Sequence, residues 1–351
     1  MDLLGLAEIA ALLGVSKQAV ANWKARKADF PKPIAELKSG PVWSKAAIVA
    51  WADSEGLSIV EAEEDDEAEE EEEGAARRAI IAALMNMKGG VGKSTMTANV
   101  GWYAAYHRNL RVLLIDLDPQ FNLSQYILGA RGYEKLLDEG SPTIESIFRD
   151  SKSGNKPDSL AEVIRPVANW NDGSCIHIVP ASLELAWAMR YATDRAHILR
   201  DYIDDIRDQY DLVLIDCAPT ESILSTATYL ATDYIFVPVK PEFLSTIGLP
   251  LLLQSIREFQ NTHKNAPLPE LGGIVFNDTG EKVEHDRSRD YVRGIAAEND
   301  WYVFENEVSH SDSYPAGARV GKPIFLTDNA RSWKKEEFNR VAGEFLERMG
   351  V

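Results

Sequence analysis

The 351-residue sequence predicts an α/β fold, a doubly wound and mostly parallel sheet preceded by a small helical module. Three observations predict it. Continuous apolar runs of strand length, "AIIAALMN" (79–86), "RVLLID" (111–116) and "YDLVLID" (210–216), alternate with helical stretches, as strands buried on both faces do. The first run passes through a glycine-rich turn straight into a helical pattern. A tract of eleven acids and no base, Glu61 to Glu73, separates this region from a short N-terminal segment. The expected boundaries are 1–56 for the first domain, 57–77 for a linker and 78–351 for the large domain.

The net charge of −18 argues at first sight against a nucleic-acid partner, but most of it lies in the acidic tract, and residues 1–60 alone are net +1. The tract is too polar and too self-repelling to fold and reads as a disordered spacer; mimicry of DNA at a basic surface is the alternative. No run approaches eighteen apolar residues, so no membrane span is expected. "MDLLGLAEIA" lacks the features of a signal peptide, and the two cysteines, Cys175 and Cys217, have no metal-ligand spacing. The expectation is a cytoplasmic protein with reduced, buried thiols.

In the first domain, "LAEIAALLGVSKQAVANWKARK" has the spacing of a helix-turn-helix. Ile9, Leu13, Val15, Val20 and Trp23 fall where two short crossed helices bury their contact; Gly14 takes the turn and Ser16 suits the second N-cap. That helix would project Lys17, Gln18, Asn22 and Lys24, side chains that reach phosphates or pair with adenine edges. The next stretch reads as a hairpin turning at Lys38-Ser39-Gly40, then a helix from Ser44 carrying Ile48 and Trp51 inward. This order resembles the winged helix-turn-helix domains of MerR-type regulators and excisionase-like proteins. A module that packs or dimerises without touching DNA is the alternative.

The loop between the first long strand and its helix is "KGGVGKST", Lys88 to Thr95. Gly89, Gly90 and Gly92 let the backbone N–H groups around Val91 turn toward a polyphosphate, and the helix N-terminus adds its orphan donors. Lys93 stands beside the terminal phosphates, and the Ser94 hydroxyl, next to Thr95, suits Mg2+. The first glycine of the usual pattern is replaced by Met87, and a second lysine, Lys88, stands among the glycines. Further along, Asp116 and Asp118 close one apolar strand and Asp216 closes another, at the carboxyl ends where such sheets bind ligands.

"KGGVGKST" resembles the deviant Walker A motif of the ParA/MinD family of P-loop ATPases, and "DLDPQFN" resembles that family's switch segment except at Phe121, where a glycine is expected. The resemblance runs over residues 78 to 351. It implies that Lys88 reaches across an ATP-dependent homodimer to its partner's nucleotide. It also implies that Asp118 orients the attacking water, that Asp116 supports the magnesium shell and that Asp216 holds Mg2+ through water. No guanine signature appears, so ATP is expected; Asn277 and Pro241 are candidates for the adenine edge, or else turn residues. The ParA branch further implies non-specific DNA binding on the nucleoid, released when a ParB-like or centromere-binding partner stimulates hydrolysis, with the N-terminal domain on operator DNA. Candidate DNA contacts in the large domain are Arg319, Lys322, Lys334 and Lys335, with Arg287, Arg289 and Arg293. A nucleotide-gated transcription regulator and a MinD-like positioning protein are the alternatives.

Overall fold

The computed structural model describes residues 3–4, 9–10, 12–13, 20, 24, 27, 30–37, 40–54, 78–149, 159–187, 195–242, 248–264, 266–328 and 330–351. Its internal contacts divide the chain into two units, Met1–Ala76 and Arg77–Val351. The acidic tract itself, and Lys17, Gln18 and Asn22, lie outside the described residues.

In the first unit, β1 (Leu3–Leu4), β2 (Ala35–Leu37) and β3 (Gly40–Ser44) form an antiparallel sheet in the order β1-β3-β2, and α1 (Lys45–Ser54) follows. Ile9, Leu13, Val20, Phe30, Trp43, Ile48 and Trp51 share one core. Phe30 sits edge-on to both tryptophans, and the buried Trp43 indole N–H donates to the Pro31 carbonyl at 2.8 Å. The strand β1 pairs with β3 although two leucines at a chain start carry no strand signal. Lys24 is exposed, its ammonium 5.5 Å from the centre of the Trp43 ring.

In the large unit the elements alternate. β4 (Ile80–Leu84), α2 (Lys93–Arg108), β5 (Arg111–Leu117) and α3 (Asn122–Asp138) come first. A hairpin of β6 (Arg165–Asn169) and β7 (Cys175–Val179) follows, then α4 (Ile198–Asp204), β8 (Leu212–Cys217), α5 (Ile223–Ala231), β9 (Tyr234–Val239) and α6 (Gly248–Thr262). The chain ends through β10 (Glu270–Thr279), α7 (Val283–Glu298), β11 (Val308–Ser309), α8 (Ser313–Arg319) and α9 (Ser332–Met349). Among the described residues the sheet has eight strands in the order β11-β10-β9-β4-β8-β5-β7-β6, all parallel except β6.

Alternate side chains of each central strand enter two different cores. Ile81, Ala83 and Met85 pack on one face with α4, α5, α6 and α7, whereas Ala82 and Leu84 pack on the other with α2, α3 and α9. Burying each Leu or Ile is worth about 1.5–3 kcal/mol, so an unbroken apolar run is stable only with helices on both sides. Both cysteines are free and buried. Among the described residues no helix is long and apolar enough to cross a membrane.

Candidate nucleotide site

β4, β5 and β8 are neighbours, and their carboxyl ends meet at one point. The loop after β4 turns sharply into α2 through Gly92, whose φ of 90° is left-handed. A side chain there would be strained, and a Cβ would stand 2.1 Å from the Asn277 amide nitrogen. Asn277 instead donates that nitrogen to the Val91 carbonyl at 2.8 Å, bracing the loop from β10. Asn86 braces it from below, accepting the Lys88 N–H at 2.9 Å and donating to the Pro238 carbonyl at 2.9 Å.

The two lysines of the loop have opposite fates. Lys93 is buried, 7% exposed, with its ammonium 3.4 Å from the carbonyls of Asn86 and Lys88. Lys88 is exposed and does not border the cavity that the loop encloses. That cavity, about 660 Å³, is bounded by the loop from Gly89 to Thr95, by Asp118 and Gln120, by Gln125 and Tyr126 of α3, by Pro219, and by Pro315 and Arg319 of α8. The volume lies within the usual range for small-ligand sites.

Asp116 and Asp216 stand directly opposite each other on β5 and β8. Asp116 is fully buried and fully engaged. One oxygen accepts the Asp118 N–H at 3.1 Å; the other accepts the Ser124 N–H at 2.8 Å and its hydroxyl at 2.7 Å. The Ser124 oxygen in turn accepts the Ala181 N–H at 2.8 Å. Burial pushes the Asp116 carboxyl up to about 7 against these hydrogen bonds. Asp216 is 1% exposed, and neither of its oxygens has a hydrogen-bond partner. Burial, then the charge of Asp116, pushes its pKa well above the usual carboxylate range, while Ser94 and Lys93 offset this in part.

An unpartnered buried carboxylate beside a hydroxyl is the hard oxygen donor set that magnesium takes, so Asp216 and Ser94 fit that ion. Asp116 does not fit in the same way. Three of its four acceptor positions are taken by the switch backbone and Ser124, an arrangement suited to bracing the switch and, at most, to holding water of the ion's shell. Asp118, 6% exposed, borders the cavity and accepts the Gln120 N–H at 2.9 Å.

Phe121 occupies the left-handed region, φ 48° and ψ 30°, the backbone state that explains a glycine preference at this corner. Its ring stacks on Tyr133 at 5.1 Å, a contact that glycine could not make. Of the adenine candidates, Asn277 is committed to the phosphate loop and Pro241 is buried beyond β9; neither borders the cavity.

The basic residues expected on DNA divide. Lys334 is 4% exposed, donates to the Ser309 carbonyl at 2.6 Å and pairs with Glu337 at 3.2 Å, so it is not available at the surface. Arg289 bridges Asp286 and Glu307, and Arg293 also meets Glu307. Lys322 and Arg319 are exposed and Lys335 half-buried, and Arg319 also borders the nucleotide-sized cavity. Sequence reading missed Tyr126 and Gln125 as cavity residues. Nothing local marks them, since they reach the site only through the packing of α3 against α8.

Residues 79–268 match the family described as an AAA domain. The chromosome-partitioning ATPase Soj of Treponema pallidum is 30% identical over 274 residues, covering 76% of this chain and 96% of its own. The chromosome partitioning protein ParA of Caulobacter vibrioides is 27% identical over 259 residues, covering 71% of this chain and 87% of its own. Among solved structures, the ATP complex of a Cyanothece McdA variant superposes with a TM-score of 0.64 at 17% identity, over 78% of this chain and 97% of that one.

Proposed function

Because the chain belongs to the ParA/MinD family of P-loop ATPases, we propose that it is a partition ATPase of the ParA type. It pairs on binding ATP, holds DNA without sequence preference, and lets go when a ParB-like partner stimulates hydrolysis. One observation carries this reading: Lys93 borders its own cavity while Lys88, five residues earlier on the same loop, is exposed outside it. A cation built into the loop yet unused by its own site is suited to a triphosphate presented by a second subunit.

Within one subunit the loop N–H groups and Lys93 hold the phosphates, and Ser94 with Asp216 would hold Mg2+, which draws charge off the phosphate oxygens when bound. Asp118 orients the attacking water, its carboxylate set by the hydrogen bond to Gln120. Asp116 keeps the Asp118 backbone in place through the Asp118 N–H. Exposed Lys322 and half-buried Lys335 are the DNA contacts this reading retains near the C-terminus. Lys17, Gln18, Asn22 and Lys24 are assigned to operator DNA.

The test is mass in solution. An Asp118→Ala chain, blocked in hydrolysis, is expected to double its mass by light scattering when ATP is added, and the same chain carrying Lys88→Ala is expected to bind ATP yet remain single. A doubled mass in the Lys88→Ala chain would remove the trans role and with it the ParA cycle. A separate core in the first unit favours a second reading, a nucleotide-gated regulator. Complete loss of random-DNA binding on deletion of 1–56 would select that reading.

A further inference from the structure

We infer that Arg319 binds the phosphates of the nucleotide, an assignment that rests on the cavity being the ATP site proposed above. The residue closes α8, more than 220 positions after the phosphate loop, yet both border the same cavity. The loop forms one wall with its backbone N–H groups and Lys93. α3 and α8 form the facing wall, where Arg319 is the cation. Asp118 is the acid on the cavity lining, and its carboxylate is already a partner of the Gln120 N–H.

Two features make this more than proximity. First, the segment that carries Arg319 is fastened to the nucleotide-binding elements themselves. The Tyr126 hydroxyl of α3 donates to the Lys322 carbonyl at 3.2 Å, and Asn99 of α2 donates to that same hydroxyl at 2.9 Å. Asn99 also accepts the Ile324 N–H at 2.7 Å. Gly317 packs so closely that a Cβ would lie 2.6 Å from the Lys322 carbonyl oxygen. Arg319 is therefore presented by a rigid corner, not by a free loop.

Second, the guanidinium has no carboxylate partner among the described residues, whereas Arg289 is held by Asp286 and Glu307. Arg319 is exposed at the cavity border, and a planar fork of N–H donors there would match phosphate oxygens in pairs, whereas a lysine offers only a point charge. The charge of Arg319 alone suggests a DNA contact; its place on the cavity border is what favours phosphate.

The full-length chain and three variants separate the possibilities, with AMP-PNP binding followed by calorimetry in Mg2+. Lys93→Ala is expected to lose binding. Arg319→Ala is expected to weaken it by about tenfold or more, the usual worth of a charge-assisted pair, with an unchanged melting temperature of the nucleotide-free chain. Arg319→Lys should recover part of the loss. At saturating nucleotide, affinity of the Arg319→Ala chain for random duplex DNA should match that of the parent. Should Arg319→Ala bind AMP-PNP as the parent does while Lys93→Ala fails, the assignment of Arg319 falls and the ATPase reading stands. Should Lys93→Ala also bind normally, the ATPase reading falls with it.

Discussion

Two aspartates face each other across adjacent strands at the heart of this site, and their surroundings could hardly differ more. Asp116 on β5 receives three hydrogen bonds from Asp118 and Ser124, while Asp216 on β8, equally buried, receives none. A buried carboxylate with all its partners supports the fold; one with no partners destabilises the fold until a ligand supplies the missing charge. Identical residue types at identical strand positions can therefore serve opposite ends. One anchors the switch to Ala181 through Ser124, and the other is left open for the ion proposed above.

Isosteric amides break the comparison most sharply, because they should move stability in opposite directions. Asp216→Asn is expected to abolish Mg2+-dependent hydrolysis and yet raise the melting temperature of the nucleotide-free chain modestly, since the neutral amide escapes desolvation of a charge and repulsion by Asp116 while forfeiting only the partial offset from Lys93. Calorimetry of the apo protein checks this, and a lowered melting temperature would assign Asp216 a structural partner. Asp116→Asn should destabilise by about 1–3 kcal/mol, because whichever way the amide turns its NH2 meets a donor, either the Asp118 N–H or those of Ser124. Relief of repulsion with Asp216 offsets only part of that loss. An unchanged or raised melting temperature would mean that Asp116 is not a brace. The smallest effect is expected at the switch corner. Phe121→Gly removes a left-handed strain of about 1–2 kcal/mol but forfeits a stack of about 0.5–1.5 kcal/mol and adds backbone entropy. Its net shift in chemical denaturation should stay within about 1 kcal/mol.

The central strands were legible because their chemistry is local. β4, β5 and β8 are unbroken apolar runs, and each passes into a turn that carries function. The strand β6 was missed for the opposite reason: "RPVAN" is half-exposed along its length and lies at the sheet edge, so no apolar run announces it. The turn signal "NDGS" at 171–174 would have found the hairpin. Lys334 was misread although the pattern was present. It falls at helical spacing with Phe338, Val341 and Phe345, which places it on the buried face of α9, where Ser309 and Glu337 satisfy it. Arg319 and Tyr126 were illegible as site residues because they meet the phosphate loop only through tertiary packing. Spacing along the chain carries no trace of that.

The aromatic corner after Asp118 has a kinetic meaning. A glycine there would let the segment wander between hands of backbone torsion, so the carboxylate three residues earlier would be aimed only part of the time. Phe121, clamped on Tyr133, narrows that search to one arrangement. Such a clamp favours one aim for the Asp118 carboxylate, and any rearrangement of this corner would first have to part the two rings.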